Sequence, residues 1–142
     1  MNKDIKNQIG IFPVLAPIAY TATATSGILD TQGYESVAMA VSVGAFTFTG
    51  TNKITVTMEE SNTTATGDFT TVASAQLIGA YTVLDAAADA GTTQKVGYTG
   101  NKRYLRVVLT EAGTVSTVVS VQGIVSNARI QPAADVAVTA TT

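Results

Sequence analysis

The chain has 142 residues, of which 13% are charged and 46% hydrophobic, with a formal net charge of −2. That length suits one domain, large enough to bury roughly two-thirds of its unfolded surface without a staple. With no Cys and no His, thiol catalysis, Ser-His-Asp chemistry, zinc fingers and imidazole-held metals are excluded.

The opening Met1–Gln8 segment is polar overall, and a short apolar stretch follows from Ile9 to Ile18, interrupted by Pro13 and Pro17. It matches neither the unbroken apolar core of a signal peptide nor the ~20 apolar residues of a spanning helix. Residues 1–17 lack clean alternation, so they are expected to form an extended N-terminal arm. Two readings of its apolar side chains stay open: an edge strand packed on its own domain, or a segment docked on a neighbouring subunit.

From there the dominant pattern has a period of two. Val37, Met39, Val41 and Val43 alternate with small or polar residues, and so do Ile54, Val56 and Met58. Leu105, Val107 and Leu109 repeat the pattern, as do Val115, Thr117, Val119 and Val121. Such stripes put one set of side chains on a buried face and the other outward, as a strand requires. Roughly one residue in six is threonine, which suits a half-solvated pleated face. Strands are expected near 18–25, 34–43, 45–49, 53–59, 69–73, 81–84, 94–98, 103–110 and 115–126. Glycine-containing turns punctuate them at fairly even spacing, and only Val83 to Ala90 has a helical flavour, a turn or two at most. Short strands with regular turns indicate an all-β, antiparallel β-sandwich, jelly-roll-like, over residues 18–130. A flexible C-terminal tail is expected over 131–142.

Motifs for chemistry are few. Glu59-Glu60 ends a strand before a polar loop, where solvation is the simple explanation, and no base of another type stands near in sequence. No Asp-x-Asp-x-Asp-Gly loop suggests calcium, so no metal and no cofactor are expected. Gly97-Tyr98-Thr99-Gly100-Asn101-Lys102-Arg103 is glycine-rich and ends in two cations, but a strand follows it, not the helix a phosphate loop needs. A hairpin or corner turn is expected there. Lys102, Arg103 and Arg106 form the only basic cluster, suited to meeting an acidic partner surface. The acidic pI of 4.9, the lack of a basic run and the absence of Trp argue against direct nucleic-acid binding.

Two stretches carry a resemblance. Leu29-Asp30-Thr31-Gln32-Gly33-Tyr34-Glu35-Ser36-Val37, running into the strand to Val43-Gly44, is the first; Gly97 to Val107 is the second. Together they resemble the small β-sandwich minor capsid proteins of tailed bacteriophages that decorate or cement the head. The resemblance spans roughly residues 20–130 and implies a non-enzymatic virion protein on the outer capsid surface. It implies a homotrimer at capsomer junctions, with the major capsid protein and itself as partners and no membrane. Contacts are then expected from Ile9, Ile11, Phe12, Val14 and Leu15 of the arm, and from Lys102, Arg103 and Arg106. Arg103-Tyr104-Leu105-Arg106 is also similar to a strand of discoidin-like sugar-binding sandwiches, which implies a glycan-binding module as the rival. A tail-associated structural protein is a third reading.

Overall fold

The structure, a computed structural model, describes residues 4–129. The tail expected over 131–142 lies outside the described residues. Ten strands form two antiparallel sheets. The first, in the order β1-β10-β4-β8-β7, consists of β1 (Ile9–Tyr20), β10 (Thr117–Ala128), β4 (Tyr34–Val43), β8 (Thr93–Tyr98) and β7 (Leu77–Ile78). The second, in the order β2-β9-β5-β6, consists of β2 (Ala24–Thr25), β9 (Tyr104–Ala112), β5 (Lys53–Ser61) and β6 (Thr70–Thr71), and β3 (Leu29–Asp30) also pairs with β9. The connections β1–β2, β3–β4, β4–β5, β6–β7, β8–β9 and β9–β10 cross from one sheet to the other.

The two-residue stripes do what their period requires. Val41 faces Val121 and Val43 faces Val119 in the first sheet; Val56 faces Leu109 and Met58 faces Val107 in the second. These side chains, with Leu29, Met39, Ile54, Val96, Leu105 and Val125, are almost wholly buried in one continuous core. Burying each such side chain contributes about 1.5–3 kcal/mol before ordering costs are subtracted. Polar groups inside are paired. The Tyr20 hydroxyl donates to the Leu109 carbonyl at 3.0 Å, and Ser26 Oγ accepts from the Val107 N–H at 2.9 Å. That serine hydroxyl stands in for a backbone carbonyl between β2 and β3. Among the described residues no buried side-chain polar atom lacks a hydrogen bond.

The expected N-terminal arm is corrected from Ile9 onward. Ile9 to Tyr20 form β1, antiparallel to β10, and Phe12 and Val14 are buried in the chain's own core. The register shifts between Pro13 and Leu15 and again between Leu15 and Ile18. Those irregularities erase the period of two from the sequence, which is why the segment reads as an arm. Prolines lack a backbone donor and belong at a sheet edge, which is where β1 stands in the strand order.

Three other expectations shift. Residues 45–49 form no strand; Phe48 is buried there, edge-to-face with Phe46 at 5.0 Å, so the segment plugs the end of the sandwich. Residues 81–84 contribute only a bridge between Leu84 and Ile54, with the Tyr81 hydroxyl donating to the Met39 carbonyl at 2.8 Å. The helical flavour of 83–90 resolves to one 3-10 turn, Ala87–Asp89, whose Asp89 carboxylate accepts the Asp85 and Ala86 N–H groups.

Candidate functional site

Two surface regions stand out. The first is the outer face of the β1-β10-β4-β8-β7 sheet. Register places Ile11 opposite Ile124, Ile124 opposite Ala38, Ala38 opposite Gly97, and Gly97 opposite Ile78. The result is one apolar row running across all five strands. Ile11 is 45% exposed and Ile78 65%, and Val118 at the far end of the same face is 50% exposed. Ser36, Ser42, Ser120, Gln122 and Ala40 fill the neighbouring rows, and among the described residues Lys95 is the one charged strand residue on this face. Serine and alanine make it flat.

The second region lies at one end of the sandwich. The turn before β4 and the corner between β8 and β9 enclose an open cleft of about 350 Å³, which Lys102, Arg103 and Arg129 line together with Gln32, Tyr34 and Asn101. Its frame is rigid because its backbones are tied to each other. The Thr31 N–H and hydroxyl both donate to the Arg103 carbonyl, at 2.9 and 2.8 Å, and the Arg129 N–H donates to the Gly33 carbonyl at 2.9 Å. Gly33 has φ +92°, a left-handed turn conformation that only glycine adopts at low cost. Gly100 is required for another reason: a Cβ there would collide with the Tyr98 hydroxyl. That hydroxyl donates to the buried Glu60 carboxylate and accepts the Lys102 N–H at 3.0 Å. Burial, and then the Glu60 carboxylate, push the Tyr98 hydroxyl up to about 12. The glycine-rich run is therefore an inter-sheet corner folded over a tyrosine.

The structure separates the residues expected to act together. Phe12 and Val14 are core, which withdraws them as partner contacts; Leu15 packs partly buried against that core. Ile9 and Ile11 alternate with them, and Ile11 stands on the outer face. The basic cluster is split because strand alternation and the corner aim its members apart. Arg106 lies on the outer face of the other sheet, where its Nε donates to Glu59 at 2.7 Å and its guanidinium stacks 4.2 Å above the Phe69 ring. Its charge and its face are both occupied by the protein itself. Arg103 makes a bidentate pair with Asp30, at 2.9 and 2.7 Å, and lies over the Tyr104 ring. The Arg103 guanidinium holds the Asp30 carboxyl below its ordinary value. Lys102 faces the cleft.

Sequence reasoning missed Ile78, Ile124 and Arg129. Ile124 had a signal, since it is apolar in the register of Gln122 and Ser126. Ile78 and Arg129 had none, because only the fold brings them to Gly97 and Gly33. Among the described residues no group of three His, Cys, Asp or Glu side chains could hold a metal ion, and no helix is long and apolar enough to cross a membrane. No family model and no curated protein matches the chain.

Proposed function

We propose that the protein is a structural subunit of a tailed-phage virion: a decoration or cement protein that binds the major capsid lattice on the outer surface of the head, as a homotrimer, and acts by adhesion without turnover. The observation that carries this reading is the apolar row Ile11–Ile124–Ala38–Gly97–Ile78 on a face with a single charge. Four long strands spaced ~4.8 Å apart and roughly 30 Å long make a face on the order of 600 Å². That approaches the ~800 Å² that each partner contributes to a standard stable interface. Large apolar side chains on a flat face mark a surface that meets another protein.

Strand order supports the same reading. Taking β2 with β3 as one position and setting aside the two-residue β7, the sheets run β1-β10-β4-β8 and β2/β3-β9-β5-β6, an order that supports the jelly-roll reading, an architecture used by viral capsid and lectin domains. Fold alone does not assign function, so the resemblance of the Leu29–Gly44 and Gly97–Val107 stretches supplies the virion context. Mechanically, each subunit spanning a capsomer boundary adds interface that must be lost before the shell opens, and many copies turn modest contacts into strong attachment.

Adding purified protein back to heads that lack it tests the proposal. Saturable cosedimentation, with threefold density on the head surface in electron micrographs, is expected. Failure to bind heads, or sixfold rings along the tail, would overturn it.

A further inference from the structure

The cleft at the end of the sandwich has a chemistry that attachment through the flat face does not use. Three of the chain's eight basic residues line this one cleft, in a protein of net charge −2. Arg103 is pinned by Asp30, with Nε and one Nη engaged and the rest of its guanidinium still able to donate. Lys102 and Arg129 form no ion pair among the described residues. With no protein anion paired to either among the described residues, an anionic ligand entering the cleft meets two uncompensated cations.

We propose that the cleft binds a carboxylate-bearing saccharide, a sugar acid of uronic type, with Lys102 and Arg129 on its carboxylate and Gln32 and Asn101 on its ring hydroxyls. Size fits: about 350 Å³ lies at the small end of the ~300–1,000 Å³ of ligand sites, room for one ring, not a chain. The planar guanidinium of Arg129 matches a carboxylate in bidentate fashion. Planar amides pair with neighbouring hydroxyls, and the half-buried Tyr34 ring, braced edge-on by Phe12 at 6.1 Å, offers an aromatic surface. Inorganic phosphate would engage the cations but leave the Gln32 and Asn101 amides and the Tyr34 ring unused, which makes it the weaker match. An acidic peptide is weaker too. Peptides bind by adding a strand or filling side-chain pockets, and here both wall backbones are already bonded to each other. The tied loops fix the backbone of the cleft, so the ordering that opposes binding falls on the side chains alone.

The site stands apart from the attachment face, so either can fail without the other. Titrating isotope-labelled full-length protein with sodium glucuronate, followed by amide NMR, tests it. Saturable millimolar shifts at Gly33, Gly100 and Asn101 are expected, with none from lactose at the same concentration. The Lys102→Gln/Arg129→Gln pair should weaken binding at least tenfold while the thermal midpoint holds, and Arg106→Gln should bind as the parent does. A tetragalacturonate arm identifies the source: tighter binding than glucuronate points to a polymer terminus, and equal binding to the free acid, each supporting the site. Absent shifts, shifts surviving the double variant, or tighter binding by hexaglutamate or inorganic phosphate would overturn it.

Discussion

The two outer faces of the sandwich are built from strands of the same alternating pattern, yet they end in opposite states. On the β2-β9-β5-β6 side, Glu59 stands opposite both Thr71 and Arg106, and Arg106 is closed off by that carboxylate and by the Phe69 ring. Lys53, Thr55, Thr57, Val108, Thr110 and Ala112 cover the remainder of these two strands. On the β1-β10-β4-β8-β7 side, serine and alanine take most positions, Lys95 is the charged strand residue, and isoleucines stand in a row across the sheet. One face is satisfied internally; the other leaves large apolar side chains exposed among the described residues. Alternation alone does not distinguish them, because both outer faces occupy the same phase of the period. The difference lies in which residues share a cross-strand row, and only register reveals that.

The contrast breaks most readily at the isoleucines. Ile11→Asp with Ile78→Asp should lower attachment to heads at least ~100-fold, since each buried isoleucine contributes about 1.5–3 kcal/mol and two carboxylates would be driven into the interface. Because both positions are exposed, urea unfolding should move by no more than ~0.5 kcal/mol. The reverse is expected opposite. Arg106→Ala should cost about 2 kcal/mol of stability by leaving the largely buried Glu59 side chain without its cation and Phe69 without its cover, with attachment unchanged. Gly100→Ala should cost about 1–2 kcal/mol, because its Cβ must displace the Tyr98 hydroxyl and with it the Lys102 N–H; glucuronate binding should weaken in step, and attachment should not.

The smallest effect is electrostatic. Arg103 lowers the Asp30 carboxyl in the folded state, so the pair's contribution is complete above the carboxyl's ordinary value of 3.8 and fades as pH falls through its lower folded value. Asp30→Asn should flatten that part of the stability–pH profile. Both side chains are 44% exposed, so added salt should shrink the effect as well.

Much of this was legible beforehand. The stripes at Val37–Val43, Ile54–Met58 and Leu105–Leu109 carried the strands because each faces one core with one phase. β1 was not legible, since shifts around Pro13 and Pro17 break its phase, and Phe12 and Val14 therefore read as contacts when they are core. Phe48 misled differently: its apolar neighbourhood resembles a strand, but it fills an end of the barrel-like interior from a loop. Of the residues expected to make contacts, the fold places Ile11 on the outer face and Lys102 and Arg103 at the cleft. Arg106 was grouped with them by sequence distance, although the step from Arg103 into β9 sends it to another face. Arg129 joins Lys102 through a backbone bond to Gly33, across nearly a hundred residues of chain, and nothing local marks it.

The most direct test is the orientation of the subunit in an electron cryomicroscopy map of decorated heads. The β1-β10-β4-β8-β7 face, with Ile11, Ile124 and Ile78, should lie against the shell, leaving Arg106 and Phe69 toward solvent. A map with the β9-β5 face on the shell, or with the isoleucine row open to solvent in every copy, would contradict the assignment of the adhesive surface.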